Sequence, residues 1–141
     1  MGELNKVAAV VIFILFHSLG FGNNTDSLIN ELQHVKDDTA KVDLYYSIIR
    51  SAEYSNPKLA LNYSHLILVH PLSQEPYYRS RNLINHAKLL KTLGEFDTAT
   101  SVMLEGIKIA EEIGDLKNQS MGFNSLGLIF KANKIVLVFV H

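Results

Sequence analysis

One pattern recurs three times along this chain, at intervals of about forty residues. Each copy places four positions at the spacing of a single helical face. From the clearest to the weakest, the copies are Phe123-x2-Leu126-Gly127-x2-Phe130, Leu83-x2-His86-Ala87-x2-Leu90 and Tyr45-x2-Ile48-Ile49-x2-Ala52. A fixed period of this length is typical of stacked two-helix units, each of which buries its apolar side against its neighbours. The chain is therefore predicted to fold as a row of helical hairpins.

The segments between these copies also favour helices. After residue 23 nearly every segment has apolar residues at helical spacing, and no segment before the last seven residues alternates as a strand would. The predicted helices lie near 28–35, 42–52, 57–68, 77–93, 96–113 and 117–132. The connections at Gly94 and Gly114 are short, so successive helices are expected to lie antiparallel. The predicted fold class is all-α.

A second signature accompanies the first. Ala99-x3-Met103 places a small residue four positions before a bulkier one, and Ala60-x3-Ser64 is a degenerate copy. Together these features resemble tetratricopeptide repeats (TPRs) of a long variety, over Asp26–Ala132. The resemblance implies an α-solenoid of antiparallel helix hairpins. A HEAT-type repeat stays open as an alternative, because its period of about 40–47 residues fits the spacing although it lacks the Leu-Gly element.

Three residues depart from the TPR pattern. His86 stands where an apolar residue is expected, Ile49 where a small one is expected, and Ser64 where a large one is expected. Each departure predicts a less close contact between helices at its own position.

The first 22 residues have the layout of a signal peptide. Lys6 precedes the ten-residue apolar run Val7–Phe16, and small residues follow it up to Gly22. The run is too short to cross a bilayer core of about 30 Å by itself. We therefore expect cleavage near Gly22 and export to the periplasm or the cell exterior. An uncleaved membrane anchor over residues 7–21 is the alternative, and this segment would be the chain's only contact with a membrane.

The repeat domain is predicted to span 23–134 and to end in an irregular apolar tail, 135–141. Six consecutive apolar residues, mostly β-branched, favour an extended conformation there. Solenoids need a polar cap at each end, so the third unit would expose its apolar face and could self-associate through that open end. We expect the chain to be truncated relative to a longer protein. The alternative is a tail that folds back as an improvised cap.

Few residues in this chain suggest catalysis. The sequence has no Cys, which excludes thiolate catalysis and Cys-ligated metal sites, and it has no phosphate-binding Gly-rich loop or His-Glu-x-x-His pair. His86 is expected to be a buried or half-buried histidine rather than a catalyst. A net charge of -1 gives no whole-chain reason to bind nucleic acid. We therefore predict a non-enzymatic protein with no cofactor and no metal.

The TPR resemblance implies a binding surface on the concave face, lined by the first helix of each unit. Carried onto this sequence, its positions are Tyr46, Arg50, Glu53, Arg81, Ile84, Lys88, Lys91, Asn124, Leu128 and Lys131. Five of these ten are basic and one is acidic, so the predicted partner is a protein or peptide with carboxylates. The alternative is an ordinary solvated helix face.

Two functions follow from these predictions. The first is an exported, non-catalytic scaffold that binds a protein or peptide on the concave face. The second is the sensory input fragment of a longer bacterial signal-transduction protein, a histidine kinase or transcriptional regulator. Residues 25–32, 37–39 and 55–61 resemble the entry segment of such exported sensors.

Overall fold

The computed structural model describes residues 24–140, apart from the side chain of Val140. The predicted signal peptide, residues 1–22, lies outside the described residues. Within the described part every regular element is a helix, and no strand is present there. The predicted all-α fold class is therefore confirmed for 24–140.

Residues 24–140 form six α-helices and one short 3-10 helix. They are α1 at 24–32, α2 at Asp38–Ala52, α3 at Pro57–Val69, the 3-10 helix at Pro71–Ser73, α4 at Pro76–Thr92, α5 at Phe96–Glu112 and α6 at Leu116–Val140.

The helix boundaries follow from side chains and glycines that the sequence places between the apolar segments. The Asp37 carboxylate accepts a hydrogen bond from Ala40 N at 2.8 Å, and the Asn56 side chain accepts one from Leu59 N at 3.2 Å. These contacts satisfy amides that have no partner within the first turn. Gly94 and Gly114 follow α4 and α5 with φ of 80° and 69°, a left-handed conformation that favours glycine.

Helix α4 is the centre of the packing. It contacts α3, α5 and α6, and its contact with α5 is the most extensive in the fold. The main core combines residues of α4, α5 and α6: Ile84, Ala87, Leu90, Ala99, Met103, Ile107 and Ile129. A smaller core joins α2 and α3 to α4 through Ala52, Ala60 and Leu89. Because α4 contributes to both cores, it connects the N-terminal and C-terminal halves.

Helices α4 and α5 approach each other closely at Gly106. The Ser80 hydroxyl donates a buried hydrogen bond to the Gly106 carbonyl oxygen at 2.8 Å. A Cβ atom on Gly106 would lie 2.9 Å from Ile84 Cγ1 and 3.1 Å from the Ser80 carbonyl oxygen. Only glycine therefore allows the two helix backbones to come this close.

The prediction of an irregular tail at 135–141 is wrong for the residues that the structure describes. Helix α6 continues without a break to Val140. No Gly or Pro interrupts the chain after Gly127, and extending an existing helix adds a hydrogen bond for each residue fixed. The β-branched residues oppose this by less than about 0.7 kcal/mol each. Local β preference is thus too weak to end the helix.

Helix α6 leaves one apolar side uncovered. Phe123 and Phe130 on this side are 51% and 55% exposed, and a Cβ on Gly127 would meet nothing within 4 Å. By length and composition alone, Leu116–Phe139 is long and apolar enough to cross a membrane. Its opposite side, however, is buried against α4 and α5 through Asn118, Ser125 and Ile129.

A glycine-to-alanine pair tests the close approach of α4 and α5. Gly106→Ala should destabilise the protein by about 1–2 kcal/mol, because the new methyl group must push against Ile84 and the Ser80 backbone. Gly127→Ala, in open space on α6, should instead stabilise the protein by up to about 1 kcal/mol through helix propensity. Urea denaturation of both variants measures the two effects. Equal responses would show that no close contact exists at Gly106.

The uncovered side of α6 should make the protein self-associate. Phe130 and Leu137 lie seven residues apart on this side, and both are exposed. Sedimentation velocity of the wild type should show mass rising with concentration, because exposed apolar area favours association. Changing both residues to Gln should shift the protein towards monomer. The matched control changes Val69 and Leu72, which are also exposed, to Gln, and a similar shift there would contradict a specific role for α6.

Candidate functional site

A cleft lies where residues of α2, α3, α4 and α6 meet. Its volume is about 610 Å³. It is lined by Tyr46, Ile49, Arg50, Glu53, Tyr54, Ser64, Ile67, Arg81, Asn82, Asn85, Lys88, Leu89, Lys91, Thr92, Ser125 and Leu128. The lining combines an apolar floor with a cationic rim.

The structure brings most of the predicted concave-face residues together in this cleft. Those that line it are Tyr46, Arg50, Glu53, Arg81, Lys88, Lys91 and Leu128. Asn124 and Lys131 are exposed on α6 but do not line the cleft.

Ile84 was wrongly placed on the surface. Its side chain is 0% exposed, and it packs over Gly106 of α5 and beside Gly122 of α6. The side of α4 that lines the cleft carries Arg81, Asn85, Lys88 and Thr92, which follow one another at helical spacing. Asn85 therefore occupies the position that was predicted for Ile84. Ile84 therefore stabilises the core and cannot contact a partner.

A hydrogen-bonded relay connects α2 and α4 at one end of the cleft. Arg81 Nη2 donates to Tyr46 Oη at 3.0 Å, and Tyr46 Oη donates to Asn82 Oδ1 at 2.5 Å. The Arg81 guanidinium also lies 5.2 Å from the centre of the Tyr46 ring and 5.5 Å from that of Tyr78. These contacts hold the half-buried Arg81 in one position.

The cleft is electrostatically positive. It contains four basic side chains, Arg50, Arg81, Lys88 and Lys91, and one acidic side chain, Glu53. Burial lowers the pKa of Lys88, the nearby Lys91 charge lowers it further, and Glu53 opposes the change. A bound carboxylate would relieve this repulsion, because an opposite charge favours the ammonium form.

The predicted positions did not include five further polar residues of the lining, of which Asn82 is the most informative: Ser64, Asn82, Asn85, Thr92 and Ser125. Asn82 is only 3% exposed and lies in α4 directly before Leu83 and Ile84. A buried amide within a helix usually has a hydrogen-bonding role. The only signal in the sequence was an Asn in the interior of a predicted helix, where this residue type does not favour helix formation.

Two departures from the repeat pattern meet in space. His86 Nδ1 and Ser64 Oγ lie 3.0 Å apart and share a hydrogen bond between α4 and α3. The small serine leaves room for the imidazole, and the hydroxyl gives it a polar partner. Burial lowers the pKa of His86, and the neighbouring His65, whose ring centre is 6.5 Å away, lowers it further.

No group of three or more His, Asp or Glu side chains that could hold a metal ion occurs within 24–140. His86 lines a small pocket on the other side of α3, together with Leu61, Asn62, His65 and Leu66, whereas Ser64 lines the cationic cleft. We therefore take the cationic cleft as the candidate site.

Comparisons with known proteins give no match to a family model, to a curated protein or to a solved structure. Functional inference for this chain thus depends on its own residues and their arrangement.

Acid should destabilise the protein through His86. Its pKa in the folded state is below the ordinary value of 6.5, so the unfolded chain binds more protons and stability is lost as the pH falls from about 6.5 through the lowered pKa. His86→Gln keeps a group that can bond Ser64 and does not titrate. Thermal unfolding between pH 7.5 and 5 should therefore depend less on pH in this variant than in the wild type. His34→Gln, at an exposed histidine, is the control, and an equal flattening there would exclude His86 as the cause.

Proposed function

We propose that this chain is a non-catalytic scaffold that binds an extended, acidic peptide segment in the cationic cleft. The observation that carries the proposal is the excess of four basic side chains over one acidic side chain around an apolar floor. Charge-assisted hydrogen bonds from Arg and Lys to carboxylates are stronger than neutral ones. A solvated helix face would not gather these side chains around one cleft.

The size and lining of the cleft fit a short peptide better than a flat protein surface. Ligand clefts typically enclose about 300–1,000 Å³ and combine apolar walls with a few placed polar groups. Ile49, Ile67 and Leu89 provide the apolar part of the lining, and Lys88 and Lys91 of α4 provide positive charge within the same turn as Leu89. An extended peptide would place side chains alternately on this floor and against the lysines.

We further propose that the helices form a TPR-like α-solenoid of antiparallel hairpins. Supporting this, each helix from α2 onwards packs on the next one along the chain, and α4 also packs on α6. Contact between alternate helices is expected where the first helix of one unit lies beside the first helix of the next. On this arrangement the cleft residues of α2, α4 and α6 share one side of the stack.

The second candidate is a sensory input fragment of a longer bacterial signalling protein. It is favoured by α6, which contributes Ser125 and Leu128 to the cleft and then continues as a helix to Val140. A ligand that bridges α4 and α6 would favour one relative tilt of the two helices at the cleft, and the continuous helix would transmit that change towards its C-terminal end. Both candidates include export directed by residues 1–22, which mass spectrometry of the mature N-terminus would test.

Charge reversal tests the peptide-binding proposal. Fluorescein-labelled hexaglutamate should bind the wild type with an anisotropy change that weakens with added salt, and labelled hexaglutamine should bind far less. Changing both Lys88 and Lys91 to Glu should weaken binding by about 10–100-fold, since attraction becomes repulsion at two positions. Arg81 is kept, because its contacts with Tyr46 and Tyr78 support the fold.

The matched control changes Lys58 and Lys108 to Glu. Both lysines are exposed and lie outside the cleft, so the net charge changes equally while the site stays intact. This variant should bind with nearly wild-type affinity. If both double variants bind hexaglutamate equally, the cleft is not the binding site.

A further inference from the structure

Two hydrogen-bond donors at the relay end of the cleft have no acceptor. Arg81 Nε and Asn82 Nδ2 are buried and unpaired, and both side chains line the cleft. The other buried side-chain atom without a partner in the described part, Asp115 Oδ2, belongs to the carboxylate that caps the N-terminus of α6. A buried donor without an acceptor costs about 1–3 kcal/mol, so two such donors on consecutive residues that line one cleft need an explanation.

The relay determines which way the Asn82 amide points. Tyr46 Oη already accepts a hydrogen bond from Arg81, and its single proton needs an acceptor, which Asn82 Oδ1 provides. If the amide were rotated by half a turn, two donors would face the Tyr46 oxygen and the phenol proton would lose its acceptor. The relay therefore leaves Asn82 Nδ2 as a free donor, and Tyr46 holds it there.

We infer that Arg81 Nε and Asn82 Nδ2 form an anchor that accepts a carboxylate group of the ligand, with Tyr46 as a positioning residue. The inference rests on the proposed function of the cleft and specifies where one carboxylate of the peptide binds. A carboxylate offers two acceptor oxygens, which matches two donors on neighbouring residues of α4. The surrounding positive charge of Arg81, Arg50 and Lys88 favours a carboxylate over a neutral carbonyl.

The carboxylate could come from a glutamate or aspartate side chain or from a peptide C-terminus. Three small probes distinguish these sources: N-acetylglutamate α-amide carries only the side-chain carboxylate, N-acetylglutamine carries only the terminal one, and N-acetylglutamine amide carries neither. The readout is the ¹⁵N–¹H NMR spectrum, in which the Arg81 Nε–H and Asn82 NH₂ signals are observed directly. At least one carboxylate probe should shift both signals saturably, and the neutral probe should leave them in place at equal ionic strength.

Substitutions separate an anchor from a merely structural role. Asn82→Asp keeps an acceptor for Tyr46 and replaces the free donor with a negative oxygen beside Arg81. Binding of the effective probe should therefore fall more than about tenfold, whereas thermal stability should be unchanged or higher. Tyr46→Phe frees the amide to rotate and should weaken binding by a few fold. Asn85→Asp adds the same charge within the same cleft and keeps both donors, so it should weaken binding less than Asn82→Asp does.

Three outcomes would overturn the anchor. The first is that the neutral probe shifts the two signals as much as the carboxylates do, in which case the two donors do not require a carboxylate. The second is that no carboxylate probe shifts them, and the third is that Asn82→Asp and Asn85→Asp weaken binding equally. If hexaglutamate binding still depends on Lys88 and Lys91, the anchor fails while the proposed peptide site stands. If the probes shift both signals but hexaglutamate does not bind, the anchor stands and the peptide proposal fails.

Discussion

The close contact between α4 and α5 at Gly106 is the constraint on which the rest of the fold depends. It buries Ser80 and Ile84 on one side of α4, and a helix with one side buried must present its other side elsewhere. The adjacent side of α4, about a quarter of a turn away, carries Arg81, Asn85 and Lys88 into the cleft. The direction in which the positive charge of α4 faces is thus fixed by a packing contact on the adjacent side of the same helix.

The His86–Ser64 contact shows why a repeat pattern tolerates departures in pairs. Taken singly, a histidine at an apolar position and a serine at a large position each suggest a packing defect. In the structure they lie 3.0 Å apart and satisfy each other. Comparison of single positions with a consensus does not reveal such compensation, because the two residues are 22 positions apart in the sequence and belong to different helices.

Local rules predicted the helices well and the surfaces less well. Asp37, Asn56, Gly94 and Gly114 act within one turn of their own positions, so their effects on helix ends were visible in the sequence. The irregular tail was wrong because helix propagation from a formed helix outweighs weak β preference. Ile84 was wrongly assigned to the cleft because neighbouring positions of α4 have different environments: Ile84 lies in the core, and the next residue, Asn85, lines the cleft. The Arg81–Tyr46–Asn82 relay joins α2 to α4 across about 35 positions of sequence, and no local pattern reports such a contact.

The uninterrupted length of α6 has a dynamic consequence. At about 1.5 Å per residue, this 25-residue helix is longer than the 17-residue helices α4 and α5 beside it, and its last fully buried side chain is Ile129. The turns beyond that point are held mainly by their own backbone hydrogen bonds, and helical segments this short are marginal in water. Their amides should exchange with solvent sooner than those of the packed turns. The number of helical residues at the C-terminal end of α6 therefore depends on the surroundings of its final turns. A change in those surroundings would lengthen or shorten the helix without disturbing the core.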